Sequence, residues 1–182
     1  MTGMLDRPTT CPDTTMTGHA PHHPIQPLRA DDVDRVRRFY GGLSTDSVYN
    51  RFFTGGQRGD AELRRLFDAD PGDRDVLVAL SGHDVIGLVE GATSMDVPGA
   101  VEIGLVVADA WQCRGVGWRL IRAVVPLAEA RGASIIQAHT LAENHRMARL
   151  MRRLCPDARP QPDGSLHTWL VPIGPALRAL AG

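Results

Sequence analysis

The 182-residue sequence contains no lysine, so all 20 of its basic residues are arginine. Its formal net charge is only −1, which gives nucleic acid or an anionic membrane no bulk electrostatic attraction. No apolar run approaches the length of a membrane span, and residues 1–24 lack the apolar core of a secretory signal. The three cysteines have neither metal-site nor disulfide spacing. We therefore expect a cytoplasmic protein without a metal site.

Length and composition favour one folded domain with tails. A hydrophobic content of 43% is enough for a real core. Residues 1–24 are rich in Thr, Pro, Gly and His and are predicted to be a disordered N-terminal tail. The domain is expected over residues 25–173, followed by a C-terminal tail at 174–182.

The chain is organised around residues 101–131. An apolar run at 103–108 predicts a buried strand, and apolar residues at helical spacing over 116–128 predict an amphipathic helix. Pro126 is expected to kink or split that helix. A polar turn with two glycines separates strand from helix. Such a loop leaves backbone N–H groups unpaired at the positive end of the helix dipole, where a phosphate or diphosphate is favoured.

The glycine spacing distinguishes three kinds of phosphate loop. A Walker loop needs a lysine after its second glycine, and the chain has none. The dinucleotide fingerprint GxGxxG needs a third glycine, where Leu120 stands. The pattern present is Q-x-x-G-x-G, formed by Gln112, Gly115 and Gly117, after a strand that carries a glutamate. This resembles the acetyl-coenzyme A (acetyl-CoA) loop of the GNAT superfamily of N-acetyltransferases.

The predicted order of elements extends this resemblance over residues 25–173. A short strand and three helices precede a hairpin at 76–80 and 85–94; the central strand and helix, a strand, a helix and a last strand follow. The resemblance implies an α+β, three-layer GNAT fold. Its sheet would be mixed, mostly antiparallel and of six to seven strands, with helices on both faces and a splay between the fourth and fifth strands.

Three segments are most similar to bacterial protein-lysine acetyltransferases of the Pat type. They are residues 43–53, residues 101–103, and Asn144 with Met147 and Met151. Pat-type enzymes usually carry an additional regulatory or synthetase-like domain, for which this chain has no room.

The resemblance implies acetyl-CoA as the cofactor and names the residues that would hold it. The loop would take the diphosphate, and a backbone N–H freed by the splay, that of Val106 or Val107, would polarise the thioester oxygen. Asn144 would bind the pantetheine amide, or would only cap the helix that follows it. The implied cofactor-binding residues are Val106, Val107, Gln112, Cys113, Arg114, Gly115, Val116, Gly117 and Asn144.

Amine acetylation also needs a base, because a lysine amine is mostly protonated at neutral pH. The resemblance assigns this role to Glu102, whose alternative is a strand-end glutamate facing solvent; Glu90 is the reserve base. The tyrosine that usually protonates the departing thiolate is replaced by Met151, as in the Pat type. Thiolate is a tolerable leaving group, so a dedicated acid is dispensable.

Three functions stay open at this point. The first is acetyl transfer to a primary amine such as a protein lysine. The second keeps the chemistry but uses a small amine, such as an aminoglycoside, a polyamine or an amino acid. The third is a non-catalytic acyl-CoA-binding sensor. No nucleic acid or membrane partner is expected, and both a monomer and a homodimer are compatible with the sequence.

Overall fold

One mixed sheet of seven strands forms the centre of the structure, a computed structural model that describes residues 23–54, 60–68, 72, 74–174 and 177. The strands follow the order β1-β2-β3-β4-β5-β7-β6, and every neighbouring pair is antiparallel except β4 and β5. The expected mixed, mostly antiparallel sheet is confirmed. The strands are β1 Ile25–Pro27, β2 Arg74–Ser81, β3 Asp84–Thr93, β4 Ala100–Val107, β5 Ile135–Leu141, β6 Gln161–Asp163 and β7 Leu166–Pro172.

Helices cover both faces of this sheet, because alternate strand residues point to opposite sides. On one face, α1 and α3 pack on residues such as Leu88 and Val106. On the other face, α4 and α5 pack on residues such as Ile103 and Ile136. The helices are α1 Val33–Gly41, α2 Thr45–Phe52, α3 Asp60–Phe67, α4 Val116–Ala130 and α5 His145–Leu154.

The fold differs from the sequence prediction in α4 and β6. Helix α4 is continuous across Pro126, so the predicted split is wrong. Pro126 lies on the exposed side of α4, while Val124, Val125 and Ala128 keep packing in the core. Residues 161–163, which are not among the strands predicted from the sequence, pair with β7 and form a short strand.

The tails lie largely outside the described residues, including residues 1–22 of the predicted disordered segment. At the other end, Leu177 is buried in the α4–α5 core, so the expected C-terminal tail contributes one side chain to the domain. No helix in the described ranges is long and apolar enough to cross a membrane.

Strands β4 and β5 pair over only three residues. The parallel ladder joins Ala100 to Ile135, Val101 to Ile136 and Glu102 to Gln137. Beyond Glu102, β4 stays paired with β3 up to Val107, and β5 stays paired with β7 up to Leu141. The two central strands therefore diverge, and the splay that the resemblance implied is present.

A glycine in β3 allows α4 to lie close to the sheet. A Cβ on Gly87 would come within 2.9 Å of Leu120 Cδ1 and 3.1 Å of Val116 Cγ1. We expect Gly87→Ala to lower the free energy of unfolding by about 1–3 kcal/mol, because the added methyl overpacks this contact. Chemical denaturation measures the change. Gly41→Ala is the matched control: no atom lies within 4 Å of its added Cβ, so equal losses in both variants would contradict the packing argument.

Candidate active site

The splay opens a cleft that is lined from both faces of the sheet. Because side chains alternate along β4 and β5, a cavity between the strands is reached by residues of either face. The α2 side contributes Asn50, Arg51, Phe53, Glu102, Gly104 and His139. The α5 side contributes Ile103, Leu105, Thr140, Asn144 and Met147.

Glu102 lies where the two strands part. It is the last β4 residue paired with β5, opposite Gln137. Its side chain is exposed and lines the cleft, on the same face of β4 as Gly104 and Val106. The carboxylate is therefore accessible from the cleft, as a general base must be.

The reserve base, Glu90, is in a different situation. It is buried in β3, and its carboxylate forms ion pairs with three arginines, Arg51, Arg65 at 2.6 Å and Arg74 at 3.5 Å. A carboxylate neutralised by this many partners is unsuited to accept a proton from an acceptor. Glu90 therefore has a structural role.

Gly104 makes the Arg51–Glu90 contact possible. A Cβ on Gly104 would lie 2.2 Å from Arg51 Nη2, so the guanidinium occupies the space that any other residue would fill. Arg51 reaches Glu90 across this gap and at the same time lines the cleft. The C-terminal end of α2 is thus fixed to β3 by an ion pair that spans β4.

Residues 112–115 form a turn, and α4 begins at Val116. Gly115 is the N-cap of α4, in a left-handed conformation with φ of 82°, and no side chain caps the first turn. The first N–H groups of a helix without a side-chain cap are suited to bind an anion. Gly117 has another role: a Cβ there would lie 3.3 Å from Leu105 and 3.5 Å from Leu150, so it lets α4 approach both β4 and α5.

The side chain of Gln112 is held by the protein itself. Its Nε2 donates hydrogen bonds to the Val107 carbonyl at 3.0 Å and to Ser47 Oγ at 2.9 Å. Gln112 therefore orders the loop against the end of β4, and the ligand contacts available there come from the backbone amides.

One neighbouring expectation was wrong: Cys113 is disulfide-bonded, which the cysteine spacing did not predict.

Asp109, which no sequence pattern indicates, connects this loop to α2. Asp109 accepts hydrogen bonds from Ser44 N at 2.9 Å, Ser44 Oγ at 2.6 Å and Ser47 Oγ at 2.8 Å. Burial opposes ionisation, but these hydrogen bonds keep the pKa of the Asp109 carboxyl below its ordinary value. The residues lie more than 60 positions apart in sequence, so no local pattern indicates the contact.

The sheet register decides between the two proposed backbone donors. The Ala108 N–H donates to the Ile86 carbonyl at 3.0 Å, so it points toward β3. Because N–H directions alternate along a strand, that of Val106 also points toward β3, whereas those of Leu105 and Val107 point toward the splay. Val107 is thus the better donor of the predicted pair, and Leu105, which the sequence analysis did not name, is a second one.

Asn144 and Met151 occupy distinct positions on α5. Asn144 is the N-cap, and its Oδ1 accepts a hydrogen bond from Met147 N at 3.1 Å. Asn144 therefore caps α5. It also lines the cleft, where its Nδ2 can donate a hydrogen bond to a ligand. Met151 is fully buried in the core, so no proton donor stands at its position.

Three features of this site are those of an acyl-transfer scaffold. They are the mixed sheet with a splayed central pair, the uncapped helix N-terminus beside it, and the carboxylate at the point where the strands part. The model of the acetyltransferase (GNAT) family matches residues 44–155, and the chain belongs to this family. This is a family of acetyltransferases.

Individual relatives agree with this family. Acetyltransferase Pat of Mycolicibacterium smegmatis is 28% identical over 136 residues, covering 71% of this chain and 40% of the relative. The chain thus spans well under half of that relative's length.

Two solved structures share the fold. The GNAT domain of S. lividans PAT matches with a TM-score of 0.74 and 24% identity, over 82% of this chain and 89% of that one. The protein yncA of Salmonella typhimurium, solved with its cofactor acetyl-CoA, matches with a TM-score of 0.66 and 17% identity, over 84% of this chain and 95% of that one.

We expect Asp109→Asn to lower the free energy of unfolding by about 1 kcal/mol at neutral pH, because the amide nitrogen turns a donor toward the Ser44 and Ser47 donors. The folded-state pKa of Asp109 is depressed, so its contribution is complete above the ordinary aspartate pKa and is lost as pH falls through the folded value. Denaturation of both proteins at several pH values measures this. Asp157→Asn, at an exposed site, is the control; a gap between wild type and Asp109→Asn that widens on acidification would contradict the assignment.

Proposed function

We propose that this protein is an acetyl-CoA-dependent N-acetyltransferase that acetylates a primary amine by direct attack in a ternary complex, with Glu102 as the general base. The observation that carries the proposal is the cleft through the splay. Its α5 side adjoins the uncapped N-terminus of α4, and Glu102 lines its α2 side. A cofactor arm and an amine entering from opposite faces of the sheet would meet between β4 and β5.

The residues present fit acetyl-CoA. The uncapped first turn of α4, with Gly115 at positive φ, offers amides of the 113–117 segment to the diphosphate. The edge of β4 left unpaired by β5 offers the N–H groups of Leu105 and Val107, and Asn144 Nδ2 can donate to a pantetheine amide. When bound, the cofactor supplies an acetyl thioester.

The chain's own residues supply the proton chemistry. A lysine amine has an ordinary pKa near 10.4 and must lose a proton before its lone pair can attack. Glu102 takes that proton, directly or through one water, a step worth about 10²–10⁴ in rate. The N–H of Leu105, the splay-facing donor nearer to Glu102, donates to the thioester oxygen as negative charge develops on it, and that of Val107 donates to the pantetheine arm. With Met151 in place of the tyrosine, the thiolate leaves without a proton from that position of α5.

The charge of the cleft favours a cationic acceptor. Two charged side chains line it, apart from His139, within the residues that the structure describes: Arg51 and Glu102. Arg51 is paired with Glu90, whereas no ion pair of the described chain includes Glu102. The charge of Glu102 also acts on the guanidinium of Arg51, but that guanidinium is already paired with Glu90, so the Glu102 carboxylate can still attract an ammonium group. A protein lysine is the acceptor we favour, given the similarity to Acetyltransferase Pat. Small amines are the second candidates, because they too carry a positive charge that the carboxylate would attract.

Replacing Glu102 tests the base. Glu102→Gln keeps the size and polarity of the side chain and removes its ability to accept a proton. We expect kcat to fall about 10²–10⁴-fold, with little change in the Kd for acetyl-CoA. Release of free thiol measures turnover and calorimetry measures binding. Glu143→Gln is the matched control, because Glu143 is exposed and does not line the cleft.

The outcomes separate the alternatives. Equal activity of Glu102→Gln and wild type would remove Glu102 as the base without affecting the cofactor assignment. Acetyl-CoA binding by the wild type, without turnover on any amine offered, would favour the non-catalytic sensor.

The absence of lysine simplifies the search for the acceptor. Because the 182 residues contain none, acetyl-lysine formed in a reaction mixture cannot come from lysine side chains of this chain. We expect the wild type to acetylate lysine-containing peptides or proteins and Glu102→Gln to do so much more slowly, as read by mass spectrometry. Turnover confined to polyamines, aminoglycosides or free amino acids would move the assignment to the small-molecule alternative.

A further inference from the structure

Arginines dominate the exposed surface of α5. Residues 145–154 read HRMARLMRRL, with Ala148, Met151 and Leu154 in the core and four arginines on the exposed side. This helix carries no acidic residue in its sequence, although the whole chain has a net charge of only −1. The positive charge is therefore concentrated on one element beside the cofactor loop.

Two of these arginines lie on opposite flanks of α5, each against a tryptophan. Arg153 lies over the ring of Trp118, with its Cζ 4.5 Å from the ring centre. Arg152 lies over the ring of Trp169 in β7, at 5.6 Å. Trp118 belongs to the first turn of α4, so Arg153 faces the uncapped helix N-terminus, whereas Arg152 faces away from it.

The position of Leu150 supports this placement. A Cβ on Gly117 would lie 3.5 Å from Leu150 Cδ2, so α5 touches α4 directly at the loop that is proposed to take the diphosphate. Arg153 is three residues beyond Leu150 and therefore lies on the same side of α5. If the loop binds a diphosphate, another phosphate group of the same ligand would lie near the side chain of Arg153.

Arg153 also has its donors free. None of the ion pairs formed among the described residues includes it. Stacking on an aromatic ring orients the guanidinium plane and leaves its N–H groups, which point outward in that plane, available to an anion. A planar fork fixed in this way is suited to bind the oxygens of a phosphate monoester.

Two other arginines near the loop are less well suited. Arg119 Nη2 donates a hydrogen bond to the carbonyl of His23, so part of its guanidinium is engaged. Arg114 lies over Trp111, in the 3₁₀ turn before the loop, with its Cζ 5.5 Å from the ring centre. Arg114 has no carboxylate partner among the described residues either, and it is the rival that the experiment has to separate from Arg153.

Coenzyme A carries two phosphate groups of different kinds. The loop amides can bind the diphosphate, but the 3′-phosphate of the ribose is a separate dianion that needs its own cation. We propose that Arg153, held on Trp118, binds this 3′-phosphate and makes the enzyme distinguish coenzyme A from 3′-dephospho-coenzyme A. The proposal rests on the cofactor assignment above and is independent of the acceptor.

Calorimetry with two ligands and four proteins tests it. Coenzyme A and 3′-dephospho-coenzyme A are titrated into the wild type, Arg153→Gln, Arg152→Gln and Arg114→Gln. We expect the wild type to bind coenzyme A about tenfold more tightly than the dephospho form, a value typical of a partly exposed charge-assisted contact. In Arg153→Gln this preference should fall to about twofold or less, with the affinity for the dephospho form unchanged.

The controls decide what a loss means. Arg152→Gln removes the same charge from the same helix and should keep the tenfold preference, so a loss there would point to the general charge of α5 and overturn the proposal. A loss confined to Arg114→Gln would assign the 3′-phosphate to Arg114 instead. Equal binding of both ligands by the wild type would overturn this proposal alone, whereas no binding of either would overturn the cofactor assignment as well.

Discussion

The site depends on the early end of the pairing between β4 and β5. Each strand is fully paired on its other side, β4 with β3 and β5 with β7, so both remain fixed while they diverge. The N–H and C=O groups along the unpaired edges still need partners, because backbone polar groups out of reach of water are costly when unsatisfied. The Gln112 side chain satisfies one of them, the Val107 carbonyl. The N–H of Asn144 satisfies another, the Leu141 carbonyl. The N–H groups of Leu105 and Val107 point into the splay, where an extended ligand with amide groups of its own, such as a pantetheine arm, would reach them.

Helix α2, on the opposite side of the cleft from α5, is held in place more by polar contacts than by apolar packing. Helix α2 has one buried residue, Ser47, and it is attached at both ends by polar contacts. Hydrogen bonds from Ser44 and Ser47 to Asp109 fix its first turn, and the ion pair of Arg51 with Glu90 fixes its last. Ser47 also accepts the hydrogen bond from Gln112, so the first turn of α2 is linked to the turn that precedes α4.

The strand, turn and helix of the proposed cofactor side could be predicted from the sequence because their signals are local. A strand, the Q-x-x-G-x-G turn and an amphipathic helix follow one another within about thirty residues, and the uncapped N-terminus of α4 is a property of that short segment. The contacts of α2 could not be predicted, since Ser44 and Asp109 are 65 positions apart. The preference for Val107 over Val106 depends on which β4 residues direct their N–H groups toward β3. That follows from the register of the β3–β4 pair, which cannot be read from the sequence. The split predicted at Pro126 is wrong because the exposed side of α4 tolerates a missing hydrogen bond.

The length of β4 limits which acyl donor the site can use. Glu102 and Val107 are five residues apart on one extended strand, and at about 3.3 Å per residue their separation is about 16 Å. The proposed diphosphate site lies beyond Val107, at the start of α4. A donor whose acyl group is bonded directly to a phosphate would therefore leave its carbonyl far from the base. Only a donor with a long, narrow arm between phosphate and acyl group can reach both ends of the splay, and the position of the base at the last paired residue favours coenzyme A for that reason.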